Sequence, residues 1–157
     1  MDEALVPEWI KKIRQEDELA EAKQEITRRL EVEASSLLQQ EGSRFWSQLQ
    51  QSLSIVVESL PVLNLSGSIS QFSNGIRIEV VYYHLVPVQT YTDVSYDPDS
   101  AVIRCSAMSG GICRLYLRAT PNNEIAAFAE LTGPPMDPEQ ASEFIMHPMV
   151  DSVRIQK

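Results

Sequence analysis

The stretch SISQFSNGIRIEVVYYHLV, residues 68–86, decides the fold. Its side chains alternate on both sides of Asn74-Gly75, and an Asn-Gly step between two alternating runs is a strong hairpin signal. With the turn on those two residues, Ile69 falls opposite Val80 and Gln71 opposite Ile78. Ile69, Ile76, Ile78 and Val80 then share one face of an antiparallel pair.

Upstream of this stretch the period is helical. Between Pro7 and Pro61 there is no proline, and Gly42 is the only glycine. Phe45, Leu49, Leu53, Val56 and Leu60 recur at spacings of three and four, which lays one apolar stripe along a helix. Residues 8–60 are therefore predicted helical, either as one helix or as two that meet at Gly42-Ser43. The first part of this region carries a sparser pattern. Leu19, Ile26, Leu30 and Leu37 are separated by seven, four and seven residues among dense Glu, Arg, Lys and Gln. That spacing is the seam of a coiled coil rather than the broad stripe of a core-facing helix. A charged helix of this length is poorly stable alone, so it calls for a partner surface.

Downstream the alternation continues. QTYTDVSY is followed by the turn DPDS, whose Pro98 suits the second turn position. AVIRCSA and CRLYLRA flank Ser-Gly-Gly, TPNN makes a further turn, and EIAAFAEL is a last strand. About six strands thus fill residues 66–131 as a meander. Asp137, Pro138 and Gln140 form a capping-box start. The helix they open is expected to run over 137–147 and stop before Pro148, with VDSVRIQK as a final edge strand. The fold class is α+β in a single domain of 157 residues. The order of elements resembles that of cystatin-like and nuclear-transport-factor-like folds, a resemblance that implies a curved sheet gripping a helix and no particular activity.

The only two cysteines, Cys105 and Cys113, bracket the Ser-Gly-Gly. A three-residue loop, Met108–Gly110, sets Cys105 opposite Cys113, Ile103 opposite Leu115 and Ala101 opposite Leu117, an apolar face throughout. A two-residue loop would mix apolar and charged groups on both faces. The three-residue loop is therefore predicted, with Gly110 in the left-handed conformation. The cysteines read as neighbouring buried thiols. C-x7-C is no zinc spacing, and a redox motif would want C-x-x-C. No cofactor or metal is expected.

The same register turns Arg104, Arg114, Tyr116 and Arg118 to the opposite face, and alternation adds Tyr83 and Phe128. Glu79, Asp93 and Glu130 are candidates to neutralise the arginines. Tyr and Arg are enriched where proteins bind one another, so this face is a candidate interaction surface.

Net charge is −9, spread over both halves: residues 1–60 carry 12 acids and 7 bases, and residues 61–157 carry 10 and 6. Such a chain repels phosphate backbones, which disfavours nucleic acid as a partner. The start, MDEALVPEWIKK, has no signal-peptide core, and no segment has the length of apolar residues that spans a bilayer, so a cytoplasmic protein without membrane partners is expected. No H-E-x-x-H, G-x-S-x-G or Walker lysine is present, and of two histidines His84 lies in phase with Ile78 and Tyr82 while His147 sits near a helix end. Catalysis is not expected. Three functions follow: an interaction module, pairing as a homodimer through Leu19, Ile26, Leu30 and Leu37; a small-molecule binder or enzyme with a cavity near Tyr82, His84 and Tyr91; or an acidic chaperone- or antitoxin-like partner protein.

Overall fold

The structure, a computed structural model, describes residues 5–83, 85–130 and 132–155. His84, a candidate cavity residue, and Leu131 lie outside the described residues. Two compact units divide the chain, Met1–Ser36 and Leu37–Lys157.

The first unit is helical. Helix α1, Glu8–Ser59, begins here and is one uninterrupted helix of 52 residues, so Gly42-Ser43 does not divide it. Within residues 5–36 no described side chain is buried. Charged residues three and four apart pair along the surface, as Glu8 does with Lys11, Arg14 with Glu18, and Glu25 with both Arg28 and Arg29. Each such pair adds only a few tenths of a kcal/mol, about 0.2–0.5. These pairs favour the helix, and it gains nothing from burial here.

The second unit holds one sheet. Its strands are β1 (Ser66–Phe72), β2 (Gly75–Tyr82), β3 (Val88–Asp97), β4 (Val102–Ala107), β5 (Ile112–Ala119) and β6 (Ile125–Phe128). They lie side by side in chain order, each antiparallel to the next. The α1 stripe of Phe45, Leu49 and Leu53, continued by Leu60 just past the end of the helix, is buried against one face of the sheet, alongside Ile78, Val80, Ile103 and Leu115. Gly42 belongs to this packing, because a Cβ there would meet the hydroxyl of Tyr96. The Tyr96 ring stacks on Trp46, with centroids 5.9 Å apart. Pro61 falls in a 3-10 turn, Leu60–Leu63, after which Asn64 adopts a left-handed conformation and β1 begins.

The first hairpin departs from the predicted register. Ile69 pairs with Ile78 and Gln71 with Ile76, so the connecting residues are Ser73 and Asn74, and Gly75 already belongs to β2. The shift is two residues, an even number, so the same side chains still face the core. The reason for Gly75 is a close approach rather than a turn. A Cβ at this position would run into the backbone of Val94 and Ser95 on β3.

The cysteine hairpin has the predicted register. Cys105 pairs with Cys113 and Ile103 with Leu115, and Gly110 has φ 89°. The Ala107 amide donates to the Gly111 carbonyl at 2.8 Å, closing the three-residue loop.

Helix α2, Pro138–Ile155, corrects two expectations: it does not stop before Pro148, and residues 150–155 are helical rather than an edge strand. Its start is a reciprocal capping box. The Gln140 amide donates to Asp137 Oδ1 at 2.7 Å, and the Asp137 amide donates to Gln140 Oε1 at 3.0 Å. Pro148 has no N–H to offer the carbonyl of Phe144, a cost of about 3 kcal/mol inside a helix. Burial outweighs it. Ala141, Ile145, Met149 and Val153 recur every four residues on the core-facing side, and continuing the helix keeps Met149 and Val153 at 5% and 1% exposed.

Candidate functional site

The core-facing helices cover one face of the sheet, and alternation turns the remaining side chains to the other. On that outer face Arg77 is closed onto Asp93, with Nε 2.7 Å from Oδ1 and Nη2 3.0 Å from Oδ2. The guanidinium also lies 4.1 Å from the Tyr91 ring centroid and 5.8 Å from that of Phe72. The hydrogen bond from Arg77 holds the Asp93 carboxyl below its ordinary range. Asp93 is thereby spent on Arg77 and does not serve the β4–β5 arginines. Glu79 accepts a long hydrogen bond of 3.4 Å from Gln89.

Arg104 and Arg114 are directly paired across β4 and β5. Ladder bonds fall on alternate pairs, and the Ala107–Gly111 and Ala101–Leu117 bonds fix which. Cys105–Cys113 is then a hydrogen-bonded pair and Arg104–Arg114 a non-hydrogen-bonded one, the kind with closer side chains. Among the described residues no carboxylate lies within ion-pair distance of Arg104, Arg114 or Arg118. Arg118 instead covers the ring of Tyr116, with Cζ 5.9 Å from the centroid. Tyr116 pairs with Phe128 on β6. Five of the six predicted surface residues therefore share this face. Tyr83 lies past the end of β2, exposed, and is not brought to them.

The candidate pairing seam is bare. Leu19, Ile26 and Leu30 are 63%, 59% and 61% exposed, and Leu37 is half-buried. Trp9, 66% exposed, falls on the same heptad positions and was not singled out from the sequence. Counting back from Leu30 in sevens reaches it, through Lys23 and Glu16, whose charges hide the repeat.

Of the candidate cavity residues, Tyr82 and Tyr91 lie on opposite faces of the sheet. Tyr82 packs against the core, whereas Tyr91 sits under Arg77 on the outer face. A cavity of about 680 Å³ lies elsewhere, between α2 and strands β3, β4 and β5. Thr90, Thr92, Cys105 and Cys113 contribute from the sheet, and Phe144 and Met149 from α2. Two depressions of similar size open beside the β1–β2 turn and beside Arg114 and Tyr116.

The thiols in the cavity are unequal. Cys105 donates its S–H to Cys113, which with burial pushes the Cys105 thiol far above its ordinary range. The same hydrogen bond lowers that of Cys113, which is half-buried and becomes the first of the pair to ionise. Among the described residues no group of His, Cys, Asp and Glu is arranged to hold a metal ion, and no helix is long and apolar enough to cross a membrane.

Comparison with protein families, curated proteins and solved structures found no match to this chain.

Proposed function

We propose that this protein is a non-enzymatic interaction module of the cytoplasm that self-associates through the first part of α1. The observation that carries this reading is the exposure of Leu19, Ile26 and Leu30, each near three-fifths, on a helix with no buried residue before Gly42. Covering such side chains is worth about 1–2 kcal/mol apiece. Water offers no comparable stabilisation, and a bare helix of this kind is marginal.

The polar residues on the seam favour one orientation. Lys23 and Glu33 occupy heptad positions between the apolar ones. In a parallel pair Lys23 would meet Lys23 and Glu33 would meet Glu33 of the second copy. An antiparallel pair centred on residue 28 sets Leu19 against Leu37, Ile26 against Leu30 and Lys23 against Glu33, and two-fold symmetry repeats each contact. Every apolar layer is then matched and both inner charges are neutralised.

Light scattering on a sizing column tests the reading. The full chain is expected at twice the mass of one chain, and Leu30→Glu at the mass of one, with an unchanged sheet signal. A monomeric parent chain across the accessible concentration range would refute it.

A further inference from the structure

We propose that the cavity between α2 and strands β3–β5 is a binding site for an uncharged, mainly apolar small molecule that carries one hydroxyl or carbonyl group, seated with that group on Thr92. The site is separate from the pairing seam and does not depend on it.

Its volume, about 680 Å³, lies within the range of small-molecule sites. Cys105, Cys113, Met136 and Met149 give it soft, adaptable walls, with Phe144 and Ile112 at the rim. Phe144 and Ile112 are 41% and 70% exposed, large apolar groups that an occupant would help to cover.

One polar group inside has no partner among the described residues. Thr92 is 6% exposed, one of two buried polar residues in the core, and its hydroxyl makes no hydrogen bond to any described residue. Among the described residues no polar side-chain atom is wholly sealed without a partner, so what accessibility the Thr92 hydroxyl keeps is through the cavity that it lines. A buried hydroxyl without a hydrogen bond is costly, and a ligand oxygen can remove that cost. Thr90, two residues along the same strand and face, offers a second hydroxyl with no side-chain partner.

The charge of the ligand follows from the lining. No Lys or Arg contributes to it. Its acidic member is Glu143, exposed on α2, and its one imidazole, His147, is exposed there too, with Nδ1 3.0 Å from Asp151 Oδ2. A carboxylate or phosphate taken into this site would lose water and meet no Lys or Arg, in a chain whose net charge is already −9. A neutral molecule with one hydrogen-bonding group satisfies Thr92 without that cost.

The test uses the full chain, with decanol and decanoate as probes at pH 8 and the rate of Cys113 alkylation by iodoacetamide as readout. Cys113 lines the cavity and also the depression beside Arg114 and Tyr116, so protection is assigned to the cavity by Ala107→Leu, since of the two Ala107 lines the cavity alone. Decanol is expected to slow alkylation saturably, by about fivefold or more, and decanoate to have little effect. Thr92→Val keeps the shape and removes the hydroxyl, and should weaken decanol binding about fivefold to tenfold, the worth of one hydrogen bond. Ala107→Leu, a second variant that fills the cavity from β4, should abolish protection. The proposal is overturned if decanol gives no protection up to its solubility. It is equally overturned if decanoate protects as well, or if Thr92→Val and Ala107→Leu both bind decanol as the parent does.

Discussion

Arg77 and Asp93 form a two-bond ion pair across β2 and β3, and the guanidinium is held over the ring of Tyr91 as it does so. The Asp93 carboxyl is held below its ordinary range in the folded chain, first by that hydrogen bond. A carboxyl depressed on folding contributes stability above its unfolded value and loses it as pH falls through the folded one. Asp93→Asn should therefore lose stability at pH 7 and little or none at pH 2, measured by urea unfolding. The side chains are 35% and 43% exposed, so the change at pH 7 is small and shrinks with added salt.

Gly75 is required by the backbone of β3. A methyl group there meets the Val94 carbonyl and the Ser95 Cα, neither of which is a flexible side chain. Gly75→Ala should cost about 1–3 kcal/mol, the range for overpacking. Gly111→Ala is the control, since its Cβ would have only the Ser109 hydroxyl nearby, at 3.9 Å. Urea unfolding of the two variants compares them directly.

The hydrogen bond from Cys105 makes Cys113 the more acidic thiol. Cys113 should be alkylated first, with Cys105 following only on unfolding. In Cys105→Ala the donor is gone, and burial alone acts on Cys113. The pH-rate profile of its alkylation should then shift to higher pH, read by mass spectrometry of the modified peptide.

Pro148 interrupts the hydrogen bonds of α2 from an exposed position. Pro148→Ala restores a donor to the Phe144 carbonyl and should raise stability by about 1–3 kcal/mol. A thermal melt that falls instead would show that the proline, and not the burial around it, sets the path of the helix.

Local chemistry explains which features were legible in the sequence. The 105–113 hairpin was readable because a single loop length made one face wholly apolar, and the α2 start because Asp137 and Gln140 are three apart. The α1 stripe from Phe45 to Leu60 was readable from period alone. Asn74-Gly75 misled because the same dipeptide serves a turn or a close approach, and only the position of β3 separates the two. Pro148 misled for a related reason. Its local preference is to end a helix, and the burial of Met149 and Val153 that overrides it comes from packing on strands distant along the chain. The cavity was missed altogether. It exists where α2 stands off from the ends of three strands, and no run of residues along the chain carries that separation. The seam of Leu19, Ile26, Leu30 and Leu37 was visible as a spacing, and the structure adds how bare its residues are.

The most direct test of the pairing through α1 is the dissociation constant of the dimer, by sedimentation, for the parent chain, Lys23→Glu and Lys23→Glu/Glu33→Lys. Antiparallel pairing places Lys23 against Glu33 twice, so the single change should weaken the dimer about tenfold and the double change should restore it. A parent chain that sediments as a monomer, or a dimer indifferent to Lys23→Glu, would contradict the account.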